Sequence, residues 1–147
     1  MKSVISVLLA MLLLVLSPGT PAQESDKPFA EAHVVLQLAD GDAQTQARTL
    51  SVANNLIKHY GGPDFIDIEI VAYGPGISLL YPDNANRERV LSLMANDVRF
   101  VGCTNTLDTI ERSTGGRPEL IADVVLVKTG VARLIERAQQ DYVVIRP

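Results

Sequence analysis

The sequence predicts an α/β protein built on an open, mostly parallel five-stranded sheet with helices on both faces. Three observations carry that expectation. Aliphatic runs of strand length occur at five places. Between them the apolar residues recur at three- and four-residue spacing, the period of a helix with one buried stripe. The resulting order is βαβαβαβαβ, and a chain that alternates in this way closes each pair of parallel strands with a helical crossover.

The elements follow in order. Val34-Val35-Leu36-Gln37-Leu38 reads as the first strand and Ile66 to Tyr73 as the second. Val98 to Gly102 is the third, Val124 to Val127 the fourth, and Tyr142 to Ile145 the fifth. The first and fourth are near-continuous aliphatic runs, the pattern of strands buried on both faces. The second alternates Ile66-Asp67-Ile68-Glu69-Ile70, so one end of it is expected to be less covered. Ala43, Ala47, Leu50, Ala53, Leu56 or Ile57 and Tyr60 mark the first helix, which Gly61-Gly62-Pro63 stops. Asn84 is expected to cap a second helix that buries Val90, Leu91 and Met94. Leu107 and Ile110 mark a third, ended by Gly115-Gly116. Thr129 caps a fourth, with Val131, Leu134, Ile135 and Ala138 on one face.

The chain has 147 residues, 47% hydrophobic and 20% charged, which suits one folded domain and excludes intrinsic disorder. A net charge of −4 leaves no electrostatic footprint for nucleic acid. Part of the apolar content is concentrated at the start. Lys2 precedes an apolar run from Val4 to Leu16, too short to span a bilayer comfortably, and Ser17-Pro18-Gly19-Thr20-Pro21-Ala22 supplies the breakers and small residues of a cleavage site. Residues 1–22 are therefore expected to be a cleaved signal peptide and the protein to be exported, to the periplasm in a Gram-negative cell. Residues 23–30 are polar and read as a flexible tail, and residues 31–147 as the domain. The mature chain, losing Lys2, is one unit more negative than the whole, and no membrane association is expected after cleavage.

In open parallel sheets, sites form where the strands end at their carboxyl sides. Four loops follow the first four strands: Asp40-Gly41-Asp42, Gly74-Pro75-Gly76, Cys103-Thr104-Asn105-Thr106 and Lys128-Thr129-Gly130. Asp40, Gly41, Gly74 and Gly76 are expected to form the edge of any site, although βα turns need such residues for backbone reasons as well. The third loop is singled out by Cys103, the chain's one thiol, which excludes an internal disulfide and a zinc site built on paired thiolates. Thr104, Asn105 and Thr106 each suit the N-cap of the helix that follows, so the sulfur is expected near the positive end of a helix dipole, where thiolate is favoured over thiol. Lys128, or Arg146, would add positive charge. A lone Cys also reads as a small buried hydrophobe, and both readings stand at this point.

Other constellations fail. His33 and His59 lack metal-ligand spacing with Cys103, and no metal or cofactor is expected. No nucleophile elbow, phosphate-binding loop or dinucleotide fingerprint is present. Asp40, Asp42 and Asp83 make no acid/base pair, and Arg112, Arg117, Arg133 and Arg137 read as solvated helix faces.

Taken in order, Val34 to Gln37 leading to Asp40-Gly41, Ile68 to Gly76, Asp83 to Asn86, Val98 to Thr106 and Gly130 to Glu136 with Tyr142 to Pro147 resemble the DsrE/DsrF-like family, in its small exported form. The similarity spans nearly all of the mature chain and lies in the order and spacing of these segments. It implies a three-layer α/β/α fold, homo-oligomers (commonly trimers or hexamers), and, as in sulfur-relay members, a Cys at the position of Cys103 that accepts and passes on sulfane sulfur as a persulfide. Thr104, Asn105, Thr106 and Lys128 would then stabilise the anionic sulfur, and the partners would be persulfide donors and acceptor thiols, small molecule or protein. Two alternatives remain open: a non-catalytic ligand-binding or assembly module with a structural cysteine, and a thiol redox sensor that joins protomers through Cys103.

Overall fold

The structure, a computed structural model, describes residues 27–147; the expected signal peptide and the first part of the expected tail lie outside them. Of the tail, Lys27 is tied down: its ammonium donates to the carbonyls of Pro63 at 2.9 Å, Ile66 at 3.2 Å and Asp97 at 3.3 Å.

The chain forms the α/β sheet that the sequence predicts. Five strands, β1 (Ala32–Leu38), β2 (Ile66–Ala72), β3 (Arg99–Cys103), β4 (Val125–Val127) and β5 (Val143–Ile145), all pair in parallel. Four α-helices connect them: α1 (Ala43–His59), α2 (Arg87–Met94), α3 (Thr104–Thr114) and α4 (Gly130–Gln139). A 3-10 turn at Pro63–Phe65 leads into β2, and a longer 3-10 segment, Gly74–Leu80, leaves it.

The sheet order is β4-β3-β2-β1-β5. The chain moves one way from β1 to β4 and then returns across the sheet to β5. Parallel crossovers are right-handed, so a reversal of direction moves the connecting helix to the opposite face. Accordingly α1, α2 and α3 bury Leu50, Ala53, Ile57, Val90, Leu93 and Leu107 against one face, with Leu36, Ile68, Ile70 and Phe100 of the central strands. Among the described residues, α4 is the one helix on the other face, with Leu134 against Val35, Val71 and Val101. Three layers result, the third one helix wide.

Four local expectations are corrected. The fourth strand is not buried on both faces: β4 is a sheet edge and Leu126 is exposed. The second strand is not less covered at one end, because every residue of β2 is buried, Asp67 and Glu69 included. The second helix is not capped by Asn84, which sits before its start at Arg87. Asn84 accepts from the Asn86 N–H at 2.8 Å and donates to Gln46 and to the Ser78 carbonyl. The fourth helix does not bury Val131, Ile135 and Ala138. Leu134 and Arg137 point inward and the other three are exposed.

The corrections to the second strand and to the fourth helix have one cause. Arg133 and Arg137, read as solvated, reach down from α4 onto Glu69. Arg137 donates to Glu69 at 2.6 and 2.9 Å, and Arg133 at 2.7 and 3.1 Å. Arg99 bridges Glu69 and Asp67, at 3.3 and 2.7 Å, and Tyr142 donates its hydroxyl to Asp67 while Arg137 lies over its ring at 4.8 Å. A fully buried carboxylate is tolerated only when it is paired and hydrogen-bonded. Burial pushes the Glu69 carboxyl up, and the Arg133 and Arg137 guanidinium groups more than offset it, holding it below the usual range.

Candidate functional site

The four loops foreseen at the carboxyl ends of the strands lie side by side, because β4, β3, β2 and β1 are neighbours in that order. Close backbone contacts knit them together. Gly76 donates its N–H to the Ala39 carbonyl at 3.0 Å, and a Cβ on Gly76 would lie 2.3 Å from the Leu38 oxygen. Gly41 packs on Pro75, where a Cβ would come within 2.9 Å of the Pro75 oxygen. Gly74 takes φ +53°, in the left-handed region that glycine adopts without strain, and donates its N–H to the Thr106 hydroxyl at 2.9 Å. Asp40 pairs with Arg146 at 2.8 Å on the far side of this row.

Cys103 is the last residue of β3 and is itself the N-cap of α3, so the cap is one residue earlier than any of the three foreseen. Its side chain, two residues on from Val101, shares that residue's face of the strand and is therefore on the α4 side. It stands opposite Val127 in the register with β4. Two helix N-termini converge there. Cys103 caps α3, whose Asn105 N–H donates to the Lys128 carbonyl at 3.2 Å, and α4 begins at Gly130, two residues beyond that carbonyl. Gly130 can approach because it has no side chain: a Cβ there would lie 3.1 Å from Tyr73.

Burial, with only 4% of Cys103 exposed, pushes the thiol up. The Gly130 N–H, the Thr106 hydroxyl and the N–H groups of Thr106 and Asn105 outweigh it and hold the thiol below its ordinary value. The Thr106 hydroxyl relays this effect, since it accepts from the Gly74 N–H and is free to give its own proton to sulfur. In the protonated form, the thiol donates weakly to the Lys128 carbonyl at 3.7 Å.

The remaining foreseen residues take different parts. Thr104 donates to the same Lys128 carbonyl at 3.4 Å, and Asn105 donates its side-chain amide to the Thr129 hydroxyl at 3.0 Å. Both lock the start of α3 to the β4–α4 loop rather than contact sulfur through their side chains. Lys128 brings its carbonyl, not its charge. Its side chain is 76% exposed and its ammonium pairs with Asp108 at 3.3 Å. Arg146 is likewise committed to Asp40. The positive potential at Cys103 is therefore supplied by oriented backbone dipoles.

Beside this thiol, across Thr106, lies a cleft of about 560 Å³ between α3 and the segment after β2. Ile77, Tyr81, Pro75 and Ile110 form its walls, and Asn105, Thr106 and Thr109 its polar rim. Sequence reasoning missed this cleft because Ile77 belongs to, and Tyr81 directly follows, a 3-10 segment that lacks the period of a helix or strand. It also missed the Glu69 cluster, although a signal existed: Asp67 and Glu69 are two apart on a strand, Arg133 and Arg137 four apart on a helix, so each pair shares a face. Among the described residues, no three His, Cys, Asp or Glu side chains are grouped to hold a metal ion.

Fold and site together define a parallel α/β protein with a single thiol set between two helix N-termini. The chain is similar to the solved structure of a protein of unknown function, MTH1491 from Methanobacterium thermoautotrophicum. The two share 29% identity, with a TM-score of 0.70 over 80% of this chain and 100% of that one. No protein-family model matches the chain, and no curated protein does.

Proposed function

We propose that the protein is an exported sulfur carrier of the DsrE/DsrF type, which accepts sulfane sulfur on Cys103 and passes it to an acceptor thiol. The observation that carries this reading is the place of Cys103 at the N-cap of α3, beside the start of α4 at Gly130, where the Gly130 N–H and the Thr106 hydroxyl hold the thiol below its ordinary value. The thiolate is the nucleophile in sulfur exchange. Cys103–S⁻ attacks the outer sulfur of a donor R–S–SH; the donor S–S bond breaks, R–S⁻ leaves, and Cys103–S–SH forms. The acceptor thiolate then attacks the outer sulfur in turn and Cys103–S⁻ departs. Neither step needs an external oxidant or reductant, and the same surroundings stabilise Cys103 as nucleophile and as leaving group.

Self-association belongs to the same reading. Val131 is 47% and Ile135 56% exposed, one turn apart on α4, which among the described residues is the one helix on its face of the sheet. A second copy of the chain would complete that thin layer beside Gly130 and Cys103.

The test is mass spectrometry after incubation of the purified protein with inorganic polysulfide. One added sulfur atom on Cys103, absent from Cys103→Ser, is expected; a wild-type protein with an intact free thiol and no added sulfur contradicts the proposal. The burial of Cys103 supports a second reading, a structural cysteine in an assembly module. That reading requires native-state alkylation to be slow and to follow an unshifted thiol. The third, a redox sensor, requires a Cys103–Cys103 disulfide on non-reducing gels.

A further inference from the structure

We infer that the cleft between α3 and the Gly74–Leu80 segment binds the uncharged, apolar organic group of the sulfur donor or acceptor, so that the carrier works with neutral hydrophobic thiols rather than with charged ones. The inference rests on the persulfide reading of Cys103 and names its substrate class. Three features of the cleft carry it.

The walls are Ile77, Tyr81, Pro75 and Ile110, and none of the residues lining it is charged. That stands out on a chain with thirteen Lys or Arg and seventeen Asp or Glu. A charged group brought into such a space would lose its hydration without gaining a partner, whereas an apolar group gains by leaving water. The size, about 560 Å³, lies in the range of small-ligand sites and is far below what a folded partner protein needs. Three of the four polar side chains that line it, Asn105, Thr106 and Thr109, lie on one side, on the first turns of α3, and the fourth is Tyr81. Thr106 belongs to this rim and stands in the first turn of α3, three residues after the N-cap Cys103, where its hydroxyl accepts from the Gly74 N–H at 2.9 Å. A ligand with an apolar body in the cleft would therefore present its polar sulfur end toward the thiol.

The experiment compares two donors, benzyl persulfide and glutathione persulfide, in the transfer of one sulfur to Cys103, with inorganic polysulfide as a donor that has no organic group. Thr109 is exposed on the rim, so Thr109→Asp introduces a negative charge without touching the core. The expected result is a preference for the benzyl donor in the wild type that falls about tenfold in Thr109→Asp and in Ile110→Ala, while polysulfide loading is unchanged. In parallel, the unreactive benzyl methyl sulfide is titrated into isotope-labelled protein. Saturable shifts of the Ile77 and Ile110 methyl signals are expected. Failure of those methyl signals to shift, or a donor ratio identical in wild type and both variants, overturns the cleft assignment even if Cys103 loads from polysulfide. If polysulfide itself leaves Cys103 unmodified, the carrier reading fails, and the methyl titration still decides whether the cleft takes an apolar ligand.

Discussion

Cys103 owes its character to its surroundings rather than to any charged neighbour. Two helix N-termini and one hydroxyl face it, and the nearest Lys turns its ammonium away to Asp108. A pH profile of alkylation of the native protein should therefore level off below the ordinary thiol range. Thr106→Val removes the hydroxyl and should move that midpoint up, while Thr106→Ser should leave it in place; an unmoved midpoint in the Val variant would exclude the relay through Thr106. The same substitution strips the Gly74 N–H of its acceptor and should cost about 1–3 kcal/mol in a urea melt. Because the folded thiol ionises more readily than the unfolded one, its contribution to stability is present above the unfolded pKa and is lost as the pH falls through the folded value. Glu69 obeys the same sign at a lower pH. Its carboxyl is held below the usual range, so its contribution is full above the unfolded carboxylate pKa and disappears as the pH falls through the depressed folded value. Glu69→Gln leaves three guanidinium groups around a neutral amide, and about 3–5 kcal/mol should be lost near neutral pH, with the difference from wild type shrinking in acid. Equal stability at neutral pH would show that the cluster is not held by that charge.

At the scale of elements, the parts that position the site are the tight contacts between consecutive βα loops. Gly76→Ala places a Cβ against the Leu38 carbonyl, a backbone atom that cannot swing aside. A loss of roughly 1–3 kcal/mol is expected from urea unfolding, as for other overpacked sites. The variant should also load polysulfide more slowly, since the Gly74–Thr106 bond is carried on the same segment. Wild-type stability in Gly76→Ala would mean that the segment shifts freely. How legible these elements were follows from their periodicity. β1, β2 and β3 announced themselves as aliphatic runs, and α1 as a long stripe closed by Gly61-Gly62-Pro63. β4 misled because Val125-Leu126-Val127 looks buried on both faces, yet an edge strand of three residues leaves Leu126 in the open. α4 misled more deeply. Its apolar residues were assigned to the core, whereas Arg133 and Arg137 went inward to meet carboxylates that no local pattern connects to them, more than sixty residues away in the chain. The thiol site was legible as a position, a Cys at the end of a strand with helix-capping residues after it. Its donors were not, because Gly130 reaches sulfur only through the register of β3 with β4.

At the scale of the molecule, the described residues form a sheet with three helices on one face and one on the other, and that one helix carries exposed Val131 and Ile135. Sedimentation should show an oligomer that Val131→Asp with Ile135→Asp converts to a monomer of unchanged circular dichroism; a monomeric wild type would refute assembly through this face. The central claim, that Cys103 carries sulfur rather than being oxidised by it, depends on which sulfur of Cys103–S–SH an incoming thiolate attacks. In the proposed carrier, the surroundings that lower the Cys103 thiol favour Cys103–S⁻ as a leaving group, which would direct attack to the outer sulfur. The most direct measurement is therefore to load the protein with isotopically labelled sulfane sulfur, add a small acceptor thiol, and analyse both products by mass spectrometry. The expected result is labelled acceptor persulfide with the Cys103 thiol regenerated. Release of labelled hydrogen sulfide, with the acceptor left on Cys103 as a mixed disulfide, would contradict it.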